Sequence, residues 1–362
     1  MKRHNKSPDR SIQGSISRPV SRRRCLRHCL GIIASCAALP QIGGLSAVAK
    51  MQSPLKKITW TGRALGANAS ITLYGDDEAH ARQTVDAMLV EIKRLEQYFS
   101  LFLERSLIKE LNTRGELNNP PSEFYHLLKA ALRISEHSKG RFDPTVQPLF
   151  MAFKSCARDR EAHAWGRPWE VDERVVKARA LVDWQNVICT PDQIAFVQPG
   201  MGLTLNGIAQ GFITDRAVDI LKAAGFDQTL VNFGEYNARM PKPGTDGWRI
   251  ELGRSTEDGP KRPVWSLKNS ALAASERSGY VFDETLDLHH MLDPKSGTSA
   301  RFWREIYVEA TNATLADGAS TALFATPPDE VGGLTEKLKI TRALLIDCNG
   351  RLKLIRHPES GI

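Results

Sequence analysis

The chain has 362 residues, of which 41% are hydrophobic and 25% charged, a balance typical of a soluble globular protein. The formal net charge is +8, and all of it lies in residues 1–49, which hold nine Lys or Arg residues and one acid. The rest of the chain is neutral and has no overall field that attracts phosphate backbones, which argues against nucleic-acid binding.

The basic segment, residues 1–49, predicts an export signal. An apolar stretch from Cys29 to Leu39 follows the charged start, and small residues at Ala47-Val48-Ala49 suit a cleavage site. This stretch is too short to span a bilayer, so no transmembrane span is expected in the mature chain, residues 50–362, which is predicted to form one domain.

The type of export signal follows from Ser21–Arg27, which reads SRRRCLR and resembles a twin-arginine signal. That signal predicts a periplasmic protein. An ordinary secretory leader is the alternative interpretation. A second alternative is a lipid anchor at Cys36, because Ile33–Cys36 resembles a lipoprotein cleavage box.

Two strands and a helix are predicted to open the mature chain. Ile58–Arg63 and Ala69–Tyr74 are predicted to be strands joined through Gly66. A helix is expected from about Asp77, because apolar residues then recur at steps of three and four. These apolar residues are Val85, Met88, Ile92, Leu95 and Phe99.

A second helix is predicted after Pro120-Pro121, with Ser122 as its N-cap and an end near Gly140. Residues 154–180 are polar, rich in Arg and interrupted by Pro168. They are expected to form an excursion from the fold.

The C-terminal half mixes short strands with helices. A strand at Leu203–Leu205 is expected to lead through a glycine turn into a helix that ends at Gly225. Another helix is expected at Asn312–Phe324, before Pro327-Pro328. The other predicted strands are Thr229–Asn232, Trp248–Leu252, Leu272–Ala274, Ile306–Ala310, and a closing hairpin of Arg342–Asp347 and Arg351–Ile355. This mixture favours an α+β fold with mixed or antiparallel sheets.

Cysteine usage gives little indication of function. Cys156, Cys189 and Cys348 remain beyond the leader, far apart and without CxxC spacing. This pattern argues against a zinc site or a redox motif. Buried free thiols are the expectation.

The first segment with chemical potential is Asn206–Phe212, which reads NGIAQGF between a strand and a helix. A glycine turn that opens a helix can direct free N–H groups at an anion, and its carbonyls can face a cation. Glycines in such turns also occur for conformational reasons alone, and this segment by itself leaves both interpretations open.

The second segment is His289–Gly297, which reads HHMLDPKSG. Zinc is disfavoured, because no third histidine follows at ligand spacing. One histidine could accept a proton or contact a ligand, whereas Asp293 also fits a turn.

The third segment is Ala316–Thr321, which reads ADGAST. Asp317 and Thr321 are four residues apart and therefore project from one face of a helix. A carboxylate and a hydroxyl are hard oxygen ligands that suit magnesium. The alternative is an exposed Asp and a Thr that bonds back to its own helix.

Together and in this order, the segments resemble the FAD:protein FMN transferase (ApbE-like) family from about Ile58 to Ala325. The match also includes a GRFDPTVQPL segment and an Asn-Phe-Gly segment. The motifs that carry the resemblance are Gly140–Leu149, Leu205–Asp215, Asn232–Gly234, His290–Gly297 and Ala316–Thr321. The resemblance implies the ApbE-like α+β fold.

The resemblance also implies roles for individual residues. Magnesium would be held by the Ala209 carbonyl, the Asp317 carboxylate and the Thr321 hydroxyl, and His290 would activate the acceptor hydroxyl. The residues implied to contact the flavin nucleotide are Leu65, Phe102, Arg141, Phe142, Asp143, Gln210 and Met291.

The implied activity is the magnesium-dependent transfer of FMN from FAD, the substrate, to a Thr or Ser of an acceptor protein, with release of AMP. Hydrolysis of FAD and a non-catalytic FAD-binding accessory protein are the alternatives. Family members often carry Lys and Gly where this chain has Gln210 and Glu235. Together with the leader, these two residues make the chain resemble the NosX subgroup. That resemblance implies a NosR-like membrane protein of nitrous oxide respiration as the partner.

Overall fold

The computed structural model describes residues 55–64, 67–162, 169, 172–253 and 262–357. These residues belong to one compact unit, Ser53–Ile362. The predictions for the leader, its Cys36 and the boundary after residue 49 lie outside the described residues, as do Leu65 and Gly66. Within the described part, no helix combines the length and apolar character needed to cross a bilayer.

An antiparallel sheet of eight strands forms the centre of the fold, in the order β1-β2-β6-β7-β10-β15-β16-β17. The remaining strands form small two- and three-stranded sheets. The strands are β1 Lys56–Ala64, β2 Ala67–Gly75, β3 Glu116–Asn118, β4 Val187–Cys189, β5 Gln193–Phe196, β6 Thr229–Asn232, β7 Tyr236–Ala238, β8 Trp248–Glu251, β9 Val264–Leu267, β10 Ser270–Glu276, β11 Val281–Asp283, β12 Leu288–His289, β13 Leu292–Asp293, β14 Thr298–Ser299, β15 Trp303–Ala310, β16 Arg342–Asp347 and β17 Leu352–Arg356.

Helices complete the α+β fold, as expected from the sequence. They are α1 Glu78–Phe99, α2 Leu107–Arg114, α3 Ser122–His137, α4 Gln147–Ala162, α5 Glu173–Arg179, α6 Ala209–Ala223, α7 Ala313–Phe324 and α8 Val331–Leu338. The predicted apolar stripe of α1 is buried in the core. Asp77 caps this helix, because its side chain accepts the N–H of His80.

Three predictions about elements are wrong. Leu203–Leu205 is not a strand, because the Asn112 amide bonds both the N–H and the carbonyl of Leu203, at 2.6 and 2.8 Å. Pro121 rather than Ser122 is the N-cap of α3, and the Ser122 hydroxyl donates to Glu123 instead. The segment 154–180 is not a plain excursion, since α4 extends into it and α5 lies within it.

The cysteines Cys156, Cys189 and Cys348 are free thiols, as expected. Cys156 is buried and Cys189 is partly buried, and burial raises the pKa of each thiol to about 11. Cys348 is exposed, so the expectation of burial is wrong for that residue.

The contact between α6 and α7 positions the candidate site. Helix α7 contacts α6 as well as strands β10 and β15 of the central sheet. A Cβ at Gly211 of α6 would lie 2.2 Å from the carbonyl oxygen of Ala313 in α7. A Cβ at Gly318 would lie 2.3 Å from Ile134 of α3. Glycine is therefore required at Gly211, where the clash is with main chain, whereas a side chain at Gly318 would meet only the end of the Ile134 side chain.

Candidate functional site

Asp317 is a buried carboxylate in α7, with 5% of its surface exposed. Its Oδ2 accepts the backbone N–H of Gly211 at 2.9 Å, which joins it to the first turn of α6. Burial raises the pKa of Asp317 to about 7, and the charge of Asp215 acts in the same direction. Among the described residues no Lys, Arg or His forms an ion pair with it.

Thr321 lies one turn further along α7 and faces the loop before α6. Its hydroxyl donates to the carbonyl of Gly207 at 3.3 Å. A Cβ at Gly207 would lie 2.9 Å from the Thr321 hydroxyl and 3.4 Å from the Phe142 ring. The missing side chain at Gly207 therefore leaves a cradle in which Thr321 and Phe142, two predicted site residues, come together.

Ala209, the third predicted metal ligand, is the first residue of α6. It lies between Gly207 and Gly211, which contact Thr321 and Asp317. The set of donors consists of a carboxylate, a hydroxyl and main-chain carbonyls, which are ligands that magnesium prefers. The described residues contain no cluster of three or more His, Cys, Asp or Glu side chains with metal-binding geometry. A buried carboxylate without a counter-charge fits a bound cation.

Glu235 is a second buried acid near Asp317, and the sequence did not predict its role. It follows Gly234 in the turn between β6 and β7, and its Oε2 accepts the N–H of Ala274 at 3.1 Å. Burial and the negative charge of Asp317 raise the pKa of Glu235 well above its ordinary value. The sequence marked Glu235 only as a departure from the family pattern, because its environment comes from distant parts of the chain.

The sequence analysis also did not predict a role for Asp215. It lies on α6 and accepts hydrogen bonds from the backbone of Ala313 and Thr314, at 2.7 and 2.8 Å, and from the Thr314 hydroxyl at 2.5 Å. The Asn237 amide donates to it at 2.8 Å. One signal was available, since Asp215 is four residues after Gly211 and so shares its helix face.

The two histidines have different surroundings, because neighbours on an extended segment point to opposite sides. His289 is 2% exposed, its Nε2 lies 3.1 Å from the carbonyl oxygen of Ala300, and its ring packs edge-on against Phe324. Its buried Nδ1 has no hydrogen-bond partner among the described residues. Burial lowers the pKa of His289 to about 4, so the ring is neutral at pH 7.

His290 is held through one edge of its ring. Its Nδ1 lies 3.1 Å from both the N and the O of Tyr280, and a Cβ at Gly279 would clash with the ring at 2.8 Å. Burial lowers the pKa of His290, which favours the neutral base. When Nδ1 donates to the Tyr280 carbonyl, Nε2 carries the lone pair that can accept a proton.

Arg141 connects the loop between α3 and α4 with the histidine segment. Its guanidinium lies 3.7 Å from Asp293 and 3.3 Å from Glu330, and its buried Nε has no hydrogen-bond partner among the described residues. An unsatisfied, charged donor of this kind suits a phosphate or another acceptor on a ligand. Asp293 is not only a turn residue, although it does accept the N–H of Lys295.

Asp143 uses its carboxylate within the protein. Oδ1 accepts the N–H and the hydroxyl of Thr145 at 2.8 and 2.6 Å, and Oδ2 accepts the N–H of Trp184 at 3.1 Å. Burial raises the pKa of Asp143 to about 6. These contacts give Asp143 a structural role beside any contact with flavin.

The other predicted flavin contacts differ in exposure. Gln210 lies against Gly234, where a Cβ would be 2.7 Å from its Nε2, and Met291 packs against the main core. Phe102 is 83% exposed. The contacts described thus place Phe142 and Gln210 beside the α6–α7 pair, whereas Phe102 stands apart in solvent and Leu65 lies outside the described residues.

Comparison with known proteins places the chain among flavin transferases. A relative from Haemophilus influenzae named FAD:protein FMN transferase is 24% identical over 337 residues, covering 87% of this chain and 92% of that protein. Another with this name, from Klebsiella pneumoniae, is 26% identical over 248 residues, covering 64% and 71%.

Solved structures share the fold. The ApbE protein of Thermotoga maritima is 25% identical, with a TM-score of 0.71, and the match covers 84% of this chain and 97% of that one. The flavin transferase ApbE from Vibrio cholerae is 19% identical, with a TM-score of 0.68 and coverage of 85% and 99%. The model described as "ApbE family" matches residues 65–345, which is most of the chain. The chain therefore belongs to the ApbE family.

Proposed function

We propose that this protein transfers FMN from FAD to a Thr or Ser hydroxyl of an acceptor protein, in a magnesium-dependent reaction that releases AMP. The observation that carries this proposal is the buried Asp317, which lies beside the first turn of α6 and has no counter-charge in the described part of the chain. The name shared by the curated relatives, FAD:protein FMN transferase, supports the same activity.

The cation would be held by Asp317, Thr321 and the Ala209 carbonyl. When bound, magnesium would neutralise pyrophosphate oxygens and so favour departure of AMP. Arg141 could donate its unsatisfied Nε to the same anionic group. The buried Phe142 ring packs beside Gly207, next to these donors.

His290 would supply the base. The acceptor hydroxyl attacks the FMN phosphorus, and its proton passes to Nε2 of the neutral imidazole. The bond between this phosphorus and the oxygen shared with AMP breaks, and AMP leaves with that oxygen. Tyr280 holds the ring through Nδ1 in the required orientation. A positioned base of this kind contributes a factor of about 10²–10⁴ in rate.

The test is incubation of the mature chain with FAD, magnesium and a flavin-accepting domain, read by intact-protein mass. The expected result is an increase in the acceptor's mass that corresponds to one covalently attached FMN. No increase is expected when the acceptor Thr is replaced by Val. FMN and AMP without a heavier acceptor would indicate FAD hydrolysis. Bound FAD without turnover would indicate a non-catalytic accessory protein.

The location and the partner are part of the same proposal. The twin-arginine resemblance of Ser21–Arg27 supports export to the periplasm, with a lipid anchor at Cys36 as the alternative. The differences at Gln210 and Glu235 support a NosR-like acceptor. Transfer to a NosR-like flavin-accepting domain, compared with an unrelated acceptor domain, tests the choice of partner.

A further inference from the structure

Glu235 is fixed by a tight turn between β6 and β7. Gly234 has a φ of +105°, a conformation that favours glycine, and its N–H donates to the Asn232 side chain at 3.0 Å. The N–H of Phe233 donates to the Glu235 carbonyl at 3.2 Å. With 6% of its surface exposed, the Glu235 side chain is therefore held inside the protein by its own backbone.

The start of α6 connects this turn with Asp317. The Gln210 amide lies against Gly234, which directly precedes Glu235. Gly211, the next residue of α6, donates its N–H to Asp317. Two consecutive residues of α6 thus touch the turn that carries Glu235 and the carboxylate of Asp317.

Strand β10 makes a second and independent connection. Ala274 donates its N–H to Glu235, and the hydroxyl of its neighbour Ser275 lies 2.8 Å from the hydroxyl of Ser320. Ser320 in turn donates to the carbonyl of Asp317 at 2.9 Å. Helix α6 therefore donates to the Asp317 carboxylate and contacts the turn before Glu235, while β10 donates to the Glu235 carboxylate and connects through Ser320 with the main chain of Asp317.

The charges of the pair are not balanced by the protein. Each carboxylate accepts one backbone N–H, and no Lys, Arg or His among the described residues forms an ion pair with either. Two buried carboxylates that repel each other need a shared proton or a cation. Thr321 lies one helical turn beyond Asp317, and its hydroxyl meets the Gly207 carbonyl just before α6. These further oxygen ligands beside the carboxylate favour a cation over a proton.

We propose that Glu235 is a second carboxylate of the divalent-cation site at Asp317. The inference rests on the proposed function, which supplies the cation. It adds Glu235, from the β6–β7 turn, as a further ligand or a close anionic neighbour of that cation. A second negative charge strengthens the attraction for a small hard cation, because charge count is a main determinant of affinity in oxygen sites.

The test measures cation binding alone, without flavin or acceptor. The metal-stripped mature chain is titrated with Mn²⁺ followed by electron paramagnetic resonance, and with Mg²⁺ followed by melting temperature. Glu235→Gln keeps the shape of the side chain and removes its charge. We expect at least a ~10-fold loss of affinity, in line with changes that perturb metal sites. Glu235→Asp, which keeps the charge, should bind more tightly than Glu235→Gln.

Glu309→Gln is the matched control, since Glu309 is a buried glutamate on β15 that pairs with Arg342 instead. This change should lower the melting temperature and leave cation affinity unchanged. If Glu235→Gln binds the cations with wild-type affinity, the inference is overturned and the proposed function stands. The same conclusion holds if this variant also has a higher melting temperature, which would indicate that the two carboxylates share a proton rather than a cation. A wild-type chain that binds neither cation overturns both.

Discussion

Asp215 and Asp317 each cap the helix that carries the other. Asp215 of α6 accepts the first N–H groups of α7, and Asp317 of α7 accepts an N–H from the first turn of α6. The two helices run antiparallel, so both caps form at the same contact. Free N–H groups in a first helical turn need such acceptors. The residues that would hold the cation are therefore in register before a cation binds.

Asp317→Asn should abolish transfer at millimolar magnesium while the fold persists. The Asn oxygen can still accept the Gly211 N–H, but the formal charge that attracts the dication is lost. Because the buried carboxylate has a raised pKa, its neutral replacement should not lower the melting temperature. Transfer measured against magnesium concentration gives the result.

Thr321→Val provides the graded comparison. It keeps the branched shape and removes a neutral donor, so a milder defect is expected that extra magnesium partly restores. If Asp317 and Thr321 only support their helix, both changes should cost about 1 kcal/mol of stability and leave the magnesium curve unchanged. A wild-type curve from Asp317→Asn would refute the metal assignment.

His290→Ala should bind FAD and transfer FMN at least about 100-fold more slowly, because a general base is lost. His289→Ala should act on stability instead, since it removes a buried ring that bonds Ala300. A loss of about 1–3 kcal/mol is expected, read by urea unfolding. Equal losses of transfer rate in the two variants, measured below their melting temperatures, would contradict the assignment.

Acid should weaken the protein partly through His289. Its pKa is lowered to about 4 in the folded chain, so the unfolded chain takes up a proton first as the pH falls. This contribution to stability is present above about pH 6.5 and is lost between about pH 6.5 and 4, by about 3 kcal/mol in total. His289→Gln, which can still donate to Ala300, should lose that part of the pH dependence. Unfolding free energies at both ends of this range provide the comparison, and identical pH slopes would exclude His289 as the cause.

Asp143→Ala should destabilise the fold more than it weakens flavin binding. The change leaves the N–H groups of Thr145 and Trp184 without their acceptor, at a cost of about 1–3 kcal/mol. Calorimetry with FAD, below the melting temperature, measures affinity separately from stability. Normal stability with a large loss of affinity would assign Asp143 to the flavin site alone.

The double change Arg22→Lys with Arg23→Lys should leave the precursor in the cytoplasm. The twin-arginine receptor reads the pair of guanidinium groups, which Lys cannot reproduce. Cell fractionation gives the location. Unchanged export in a strain that requires the twin-arginine route would refute the prediction, and a mature form that partitions with membranes would favour lipidation at Cys36.

Local patterns predicted much of the fold. Strand β6 was predicted with its observed bounds, and the helices expected from about Asp77 and from Asn312 begin at the following residues, since periodicity acts over a few residues. The strand expected at Leu203–Leu205 failed because Asn112, some ninety positions earlier, takes its backbone hydrogen bonds. No local pattern contains that contact.

The same limit applies to the site. The spacing of Asp317 and Thr321 on one helix face could be predicted from the sequence. The role of Glu235 could not, because its neighbours Ala274 and Asp317 come from other elements. The sequence does not show that both carboxylate oxygens of Asp143 accept hydrogen bonds, from Thr145 and from Trp184, since Trp184 is 41 positions away.

The glycines of the α6–α7 contact have a consequence for divergence within the family. At Gly211 the helices touch through main chain, with Ala313 2.2 Å from where a Cβ would stand. A spacing set by backbone does not depend on which apolar side chains fill the surrounding core. Core residues can therefore be exchanged widely without moving Asp317 relative to α6, which accords with a fold shared at 25% identity with a TM-score of 0.71. Gly211 itself, in contrast, cannot be replaced without moving the two helices apart.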